Sequence, residues 1–268
     1  MRIALGIEYN GTNYHGWQIQ KNVMTVQNVL EKCLSIIANE KILVHCAGRT
    51  DAQVHSVGQV VHFNTNSVRK NKSWILGTNF YLPNDISVIW AKEVPYNFHA
   101  RHSAIYRHYR YIINNSSYKS VFFKNNFFNF NKNYLDDKRM NMSAKYLIGE
   151  HDFSSFRSKN CQSKVSYRYV FTSKVYRINS FIIFDIIANS FLHNMVRNIV
   201  SELIKIGSKK KDIFWIKKLL CMKNNNFLNC SSDPSGLYLF YVKYPRFFKF
   251  PKLYYKNISN VFRNFYNT

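Results

Sequence analysis

Acidic side chains are scarce in this 268-residue chain: 14 Asp and Glu stand against 38 Lys and Arg, for a formal net charge of +24. That imbalance makes a polyanion the first partner to consider. Cysteine is sparse too. Cys33, Cys46, Cys161, Cys221 and Cys230 are odd in number, widely spaced and in no C-x-x-C pair, so neither a disulfide framework nor a zinc site is indicated and no metal is expected. A reducing compartment fits, and the expected location is the cytoplasm. Long apolar runs are missing as well. Phe181 to Leu192 is the most apolar stretch, but Asp185 and Asn189 interrupt it, and it falls short of the roughly 20 residues that span a bilayer. Met1 to Leu5 lead straight into an alternating pattern with no secretory h-region, so no membrane role is expected.

What is present is a hydrophobic content of 46%, enough for one large domain or two packed ones. The chain is also rich in Lys, Asn, Ile, Phe and Tyr, a bias that A/T-rich codon usage can produce, so net charge alone does not decide the partner. Interleaving says more. Phe98-His99-Ala100-Arg101-His102 and Tyr106-Arg107-His108-Tyr109-Arg110-Tyr111 mix cations with rings, a combination suited to phosphate contacts and base stacking.

Alternation of Ile3, Leu5, Ile7 and Tyr9 predicts a strand over 2–9. Thr25 caps a predicted helix carrying Val26, Val29, Leu30, Cys33, Leu34 and Ile37 at helical spacing. An extended run at 41–44, a strand at 57–63, a helix at 73–81 closed by Leu82-Pro83, and a strand at 86–94 follow. A second round has a strand at 106–114, an irregular segment at 119–132, a helix at 136–148, and strands at 165–177 and 180–188. Leu192, Met195, Val196, Ile199, Val200, Leu203 and Ile204 make the clearest helix, stopped by Gly207, and a helix at 212–222 and a strand at 236–244 complete the chain. The pattern predicts an α+β fold of two similar lobes sharing a mainly antiparallel sheet covered by helices. With a linker near 96–105 the lobes are 1–100 and 101–268, and a cleft between them is the expected substrate site.

Cys46-Ala47-Gly48-Arg49-Thr50-Asp51-Ala52-Gln53-Val54-His55 lies between two extended segments and reads as a loop. Gly48 permits a tight turn, Arg49 supplies a planar cation and Asp51 an anion two residues later. Alone, such a motif is better explained by a polar turn with a surface ion pair. His55, His62 and Cys46 are irregularly spaced and read as structural residues rather than metal ligands.

Gly48-Arg49-Thr50-Asp51-Ala52-x-Val54-His55 resembles the catalytic motif of the TruA family of tRNA pseudouridine synthases. Further stretches resemble the family in the same order: Gly16-Trp17-Gln18, Gly58-Gln59-Val60-Val61-His62-Phe63, Phe98-His99-Ala100-Arg101, Tyr109-Arg110-Tyr111, Gly149-Glu150-His151-Asp152-Phe153-Ser154-Ser155-Phe156-Arg157, Phe191-Leu192-His193-Asn194-Met195-Val196-Arg197-Asn198 and Gly236-Leu237-Tyr238-Leu239. The resemblance implies isomerisation of uridine to pseudouridine at positions 38, 39 and 40 of the tRNA anticodon stem-loop, by a homodimer without a cofactor. It also implies Asp51 as the catalytic carboxylate and Tyr109 as the ring that stacks on the target uracil. A dry pocket favours the neutral form of a carboxyl group, so a cation is expected beside it, and the resemblance makes Arg197 that partner. Arg49 is expected to fill the stack or touch phosphate when the base leaves. Arg69, Phe98, His99, Ala100, Arg101, His102 and the loop Asn160-Cys161-Gln162-Ser163-Lys164 are the expected tRNA contacts.

This sequence departs from the family pattern at Gln53, where the family usually has Gly, and at Ser231-Ser232-Asp233-Pro234-Ser235, which stands where the family has an Ala/Pro-rich approach to Gly-Leu. A non-catalytic structured-RNA-binding protein on the same platform is the reading from another class, and the presence of Asp51 counts against it. A base-excising hydrolase would break the same first bond and differ by admitting water.

Overall fold

The computed structural model describes residues 1–118, 121, 125–158, 161–226 and 231–251. They form two compact units, Met1–Ile105 with the chain from Tyr238 onward, and Tyr106–Leu237. These units are cut differently from the sequence-based lobes 1–100 and 101–268, because the chain returns to the first unit after leaving it. The α+β class expected from the pattern is the one observed, with mostly antiparallel strands and helices packed on them.

In the first unit β1 (Arg2–Tyr9) leads through a short 3-10 turn to α1 (Val26–Ala38), β2 (His45–Cys46), β3 (His55–Asn64), α2 (Asn71–Tyr81) and β4 (Ile86–Val94). β1 runs antiparallel to β3 on one side, with Ile3 opposite Phe63, and to β4 on the other, with Arg2 opposite Val94. Ile3, Leu5 and Ile7 have no exposed surface and meet Val26, Leu30 and Leu34 of α1 and Trp74 of α2. The helical spacing of α1 therefore does what it predicted. Thr25 accepts a hydrogen bond from the Asn28 N–H at 3.4 Å, and Asn39, at φ 53°, ends the helix in the left-handed region.

The run at 41–44 does not continue the sheet: only His45 and Cys46 pair with β3. Glu31 is the reason. Its carboxylate accepts from the Val44 N–H at 2.9 Å and from Gln27 Nε2 at 2.8 Å, so the backbone of this stretch is bonded to α1 instead of to a ladder.

The second unit contains β5 (Tyr106–Asn114), β6 (Phe128–Asn129), α3 (Asp137–Ala144), β7 (Gly149–Asp152), β8 (Tyr167–Ile178), β9 (Phe181–Ala188), α4 (Met195–Gly207) and α5 (Trp215–Met222). Its strand order is β5-β9-β8-β7, all antiparallel. β6 is a short strand parallel to β5 inside the stretch expected to be irregular, and β7 had no alternating signal. Met195, Val196, Ile199, Val200, Leu203 and Ile206 give α4 its buried face. Glu202 lies on that helix with no exposed surface, accepting from Lys205 Nζ at 2.6 Å and from the Trp215 indole N–H at 2.7 Å. It ties α5 to α4.

β10 (Leu237–Lys243) brings the chain back to the first unit, pairing in parallel with β3 through Tyr238 with His55 and Leu239 with Ser56. The Ser56 hydroxyl also donates to the Leu239 carbonyl at 2.9 Å. Among the described residues no helix is long and apolar enough to cross a membrane.

Removal of a buried charged partner leaves the rest of its network unsatisfied. Glu202→Ala is expected to lower unfolding free energy by about 3 kcal/mol in urea titration, whereas Glu202→Gln, whose amide oxygen still accepts from Trp215, should lose clearly less.

Candidate active site

The loop between β2 and β3 is held by its backbone along most of its length. The Ala47 N–H donates to the Val60 carbonyl at 2.8 Å, and the fully buried Gln59 donates through Nε2 to the Gly48 carbonyl at 2.7 Å. The Tyr9 and Thr50 hydroxyls are hydrogen-bonded at 2.8 Å, and the Trp17 N–H reaches the Thr50 carbonyl at 3.0 Å. Beyond Asp51, the Gln53 N–H donates to the Tyr14 carbonyl at 3.1 Å, and the Gly11 N–H donates to His55 Nδ1 at 3.1 Å. His55, almost wholly buried, stacks on Tyr238 at 4.8 Å.

The 10–17 loop is thus a brace lying along the 50–55 backbone. It fits because two glycines face that backbone. A Cβ on Gly16, whose φ is +85°, would lie 2.8 Å from the Thr50 carbonyl oxygen and 3.0 Å from the Asp51 carbonyl carbon; one on Gly11 would lie 2.1 Å from the Val54 carbonyl oxygen. No side chain tolerates such approaches. The brace is itself anchored by Asp85, whose carboxylate accepts from the Tyr14 hydroxyl and from Asn13, and whose carbonyl accepts from the Asn10 N–H at 2.9 Å. The Tyr14 hydroxyl, on a buried side chain and hydrogen-bonded to that anion, has its pKa raised. Gly11, Tyr14, Gly16, Thr50 and Asp85 were not among the expected site residues, although Gly11 and Gly16 stand in the loop after β1 as two conspicuous turn glycines.

Asp51 is half-buried on this platform, and Arg49 is exposed two residues before it. Gln53 takes φ 64°, the left-handed conformation that Gly would adopt without strain. Cys46 is no nucleophile here: burial pushes its thiol pKa upward, outweighing the lowering effect of Arg49 and Arg101 nearby.

The expected 98–102 contact strip divides. Phe98 and Ala100 have no exposed surface, and Phe98 packs against Phe248, Tyr244 and Phe250 at 4.9, 5.2 and 5.3 Å. Their side chains belong to the core, which leaves only their backbone to reach an RNA. Arg101 and His102 are exposed and His99 half-buried. Arg69 is exposed, with its Nε donating to the Ile37 carbonyl in the last turn of α1 at 2.7 Å, where a cation suits the helix dipole.

In the second unit, Tyr109 on β5 is buried and meets Phe191 edge-on at 4.9 Å. Arg197 is half-buried in the first turn of α4; its Nε donates to the Ser232 carbonyl at 2.8 Å and its Nη1 to Asn194 Oδ1 at 3.2 Å. The stretch Ser231–Ser235 that departs from the family pattern therefore supplies a carbonyl that orients this arginine. Cys161 and Ser163 are half-buried and Gln162 and Lys164 exposed; Asn160 lies outside the described residues. Burial opposes ionisation of the Cys161 thiol, but hydrogen bonds from the His193 and Ser163 backbones and the Arg157 guanidinium lower its pKa overall.

A family model described as tRNA pseudouridine synthase matches residues 6–103 and 143–245. The chain belongs to that family. A protein of Buchnera aphidicola subsp. Baizongia pistaciae named tRNA pseudouridine synthase A is 55% identical over 251 residues, covering 93% of this chain and 94% of its own. One of the same name from Buchnera aphidicola subsp. Acyrthosiphon pisum (strain APS) is 51% identical, covering 95% and 96%, and one from Pseudoalteromonas atlantica is 50% identical, covering 94% and 96%. Membership in the tRNA pseudouridine synthase family makes the chain an isomerase, and the braced 46–55 loop is the part of it that carries a carboxylate on a fixed backbone.

Two outcomes test this loop. Gln53→Val places a β-branched residue in the left-handed region and is expected to cost roughly 1–2 kcal/mol in chemical denaturation, with Gln53→Gly tolerated. His62 is the second test. It is 2% exposed, and its Nδ1 accepts from the Ala100 N–H at 3.1 Å. Burial, with His99, Arg2 and His45 adding to it, pushes its pKa down to about 3 from an ordinary 6.5. Above pH 6.5 neither folded nor unfolded chain protonates it; as pH falls from there toward 3 the unfolded chain takes up the proton first, so stability is progressively lost. At pH 5 the loss from this group should be about 2 kcal/mol, and thermal melts of His62→Gln should show a correspondingly smaller acid sensitivity.

Proposed function

We propose that the chain converts uridine to pseudouridine at positions 38, 39 and 40 of the tRNA anticodon stem-loop, with Asp51 as the catalytic carboxylate. The observation that carries the reading is the bracing of the Asp51 backbone. A group that must meet one carbon or one proton of an extruded nucleotide gains most from a fixed position. The reaction is an isomerisation: the N1–C1′ bond breaks, the uracil turns, a C5–C1′ bond forms, and the proton lost from C5 is balanced by one gained at N1. A single ionised carboxylate suffices, either attacking C1′ or removing the 2′ proton.

Arg197 is the proposed ion partner of Asp51. Its two hydrogen bonds to Ser232 and Asn194 hold the guanidinium in one orientation, which is what pairing with a carboxylate requires. Tyr109 offers a ring for the target uracil, with Phe191 supporting it edge-on. Arg49 is the proposed occupant of the space or phosphate left when the base is extruded. Arg69, His99, Arg101, His102, Cys161, Gln162, Ser163 and Lys164 are proposed to touch the RNA through distributed backbone contacts, as recognition by shape demands. The resemblance to the TruA family supports a homodimer working in the cytoplasm.

Asp51→Ala is expected to abolish pseudouridine formation, read by carbodiimide modification and sequencing of treated tRNA, while binding to the same tRNA persists and weakens with added salt. Product at wild-type level in this variant would remove Asp51 from the chemistry.

A further inference from the structure

Four histidines of the first unit lie in one continuous cluster. His45 and His62 are directly opposite each other on β2 and β3, with rings stacked at 5.1 Å and 24°. His99 meets His62 at 4.6 Å and His45 at 5.5 Å, and His102 meets His99 at 4.3 Å. The two inner rings have structural duties. His62 Nδ1 accepts from the Ala100 N–H, and His99 Nδ1 accepts from the Arg101 N–H at 3.1 Å and the His102 N–H at 3.3 Å. The two outer rings, His45 and His102, are exposed.

A metal does not account for the cluster: among the described residues no group of three or more His, Cys, Asp or Glu side chains is arranged to hold one. Core packing explains His62 and His99 but not why exposed imidazoles are added at both ends. Charge gives the missing reason. The groups bearing on His62 are His99, Arg2 and His45, and on His99 they are His102, His45, Arg2 and Arg101, every one a base. Arg101, exposed, adjoins His102 and bonds His99 through its N–H, and Arg49, also exposed, follows His45 by four residues. Bases gathered in this way repel one another, and an anion relieves the repulsion. Stacked imidazoles next to guanidinium groups present the two things a nucleotide needs, a π-face for the base and cations for its phosphate.

We propose that the exposed ends of this stack, His45 and His102, form a ledge on which an unpaired base of the RNA substrate stacks while Arg49 and Arg101 hold its phosphodiester. The proposal rests on the tRNA reading above and extends it to His45, which the catalytic motif does not include. Arg49 is two residues from Asp51, so the nucleotide on the ledge is a neighbour of the one presented for reaction and not that nucleotide itself.

The test is fluorescence anisotropy of a labelled synthetic anticodon stem-loop RNA with the full chain. His45→Ala and His102→Ala are each expected to weaken binding roughly tenfold with little change in the salt dependence. His45→Phe and His102→Phe, which keep a ring, should stay within about twofold of the parent protein. Arg101→Gln should instead flatten the salt dependence. Unchanged affinity in both alanine variants would overturn the ledge, and so would phenylalanine variants as weak as the alanine ones. All comparisons are made on variants whose thermal midpoints match the parent. The two readings fail separately: a parent protein that binds the RNA through the ledge but yields no pseudouridine removes the proposed reaction and leaves the ledge, and the reverse result removes the ledge alone.

Discussion

Contact between the 10–17 brace and the 50–55 loop is the constraint from which the site follows. The catalytic candidate sits in a segment with no regular structure of its own, and loops are where chains move most readily. Here the Thr50 and Val54 carbonyls face Gly16 and Gly11 at distances no Cβ permits, and N–H groups of Gly11, Trp17 and Gln53 are bonded across the same seam. The two loops therefore hold each other's polar backbone out of water, and displacement of one exposes unsatisfied groups on both. Side chains finish the arrangement: Tyr9 reaches Thr50 from β1, and Asp85 holds the brace through Tyr14. Both anchors come from regular strands or their immediate ends, so the rigidity of the first unit's strands is passed to Asp51.

The balance of charge obeys a second constraint. A formal +24 raises self-repulsion in the folded chain, and the structure deals with it differently in different places. Asp185 draws together His108 and Arg110, with hydrogen bonds of 2.8 Å to each, and burial notwithstanding, those partners hold its carboxyl well below the usual range. Glu202 and Lys205 do likewise on α4. Around His45, His62, His99 and His102 the named influences are all basic, and Arg49, the arginine nearest Asp51 in sequence, follows His45 by four residues. Stability would be better served by carboxylates there. A cluster of bases retained beside the proposed reaction centre is the pattern expected when binding of a polyanion, not folding, selects the residues.

Most of the regular structure was legible in the sequence because its elements satisfy one period each. β1, β4 and β5 follow strand alternation and match the expected spans, and α1 and α4 carry their apolar residues at helical spacing. What was hidden depended on partners far away in the chain. The run at 41–44 has the composition of a strand, but Glu31 claims its N–H, and a carboxylate on a helix gives no warning of that. β6 and β7 are too short for a period to show. The return of β10 to β3 is a pairing across about 180 residues, invisible to any local pattern. At the site, the loop and Asp51 stood out through the motif and its resemblance, and Gly16-Trp17-Gln18 of the brace shared in that resemblance; the contacts between the two did not show, since hydrogen bonds between two irregular backbones leave only a pair of glycines as a trace. In the 98–102 strip, which alternates rings with cations, burial of Phe98 and Ala100 was equally hidden, because the partners of Phe98 lie about 150 residues further on.

Gln53 shows how much of the motif is geometry and how much is identity. The position after Asp51 and Ala52 must turn left-handed so that the Gln53 N–H meets Tyr14 and the Val54 N–H returns to the Asp51 carbonyl at 3.2 Å. Glycine does this without strain; glutamine does it at a cost of roughly 1–2 kcal/mol. The same turn survives in this chain because the seam with Gly11 and Gly16 supplies more hydrogen bonds and contacts than that strain removes. The loop's shape is consequently a property of the brace, and a residue within the loop can change while the direction of the Asp51 backbone does not.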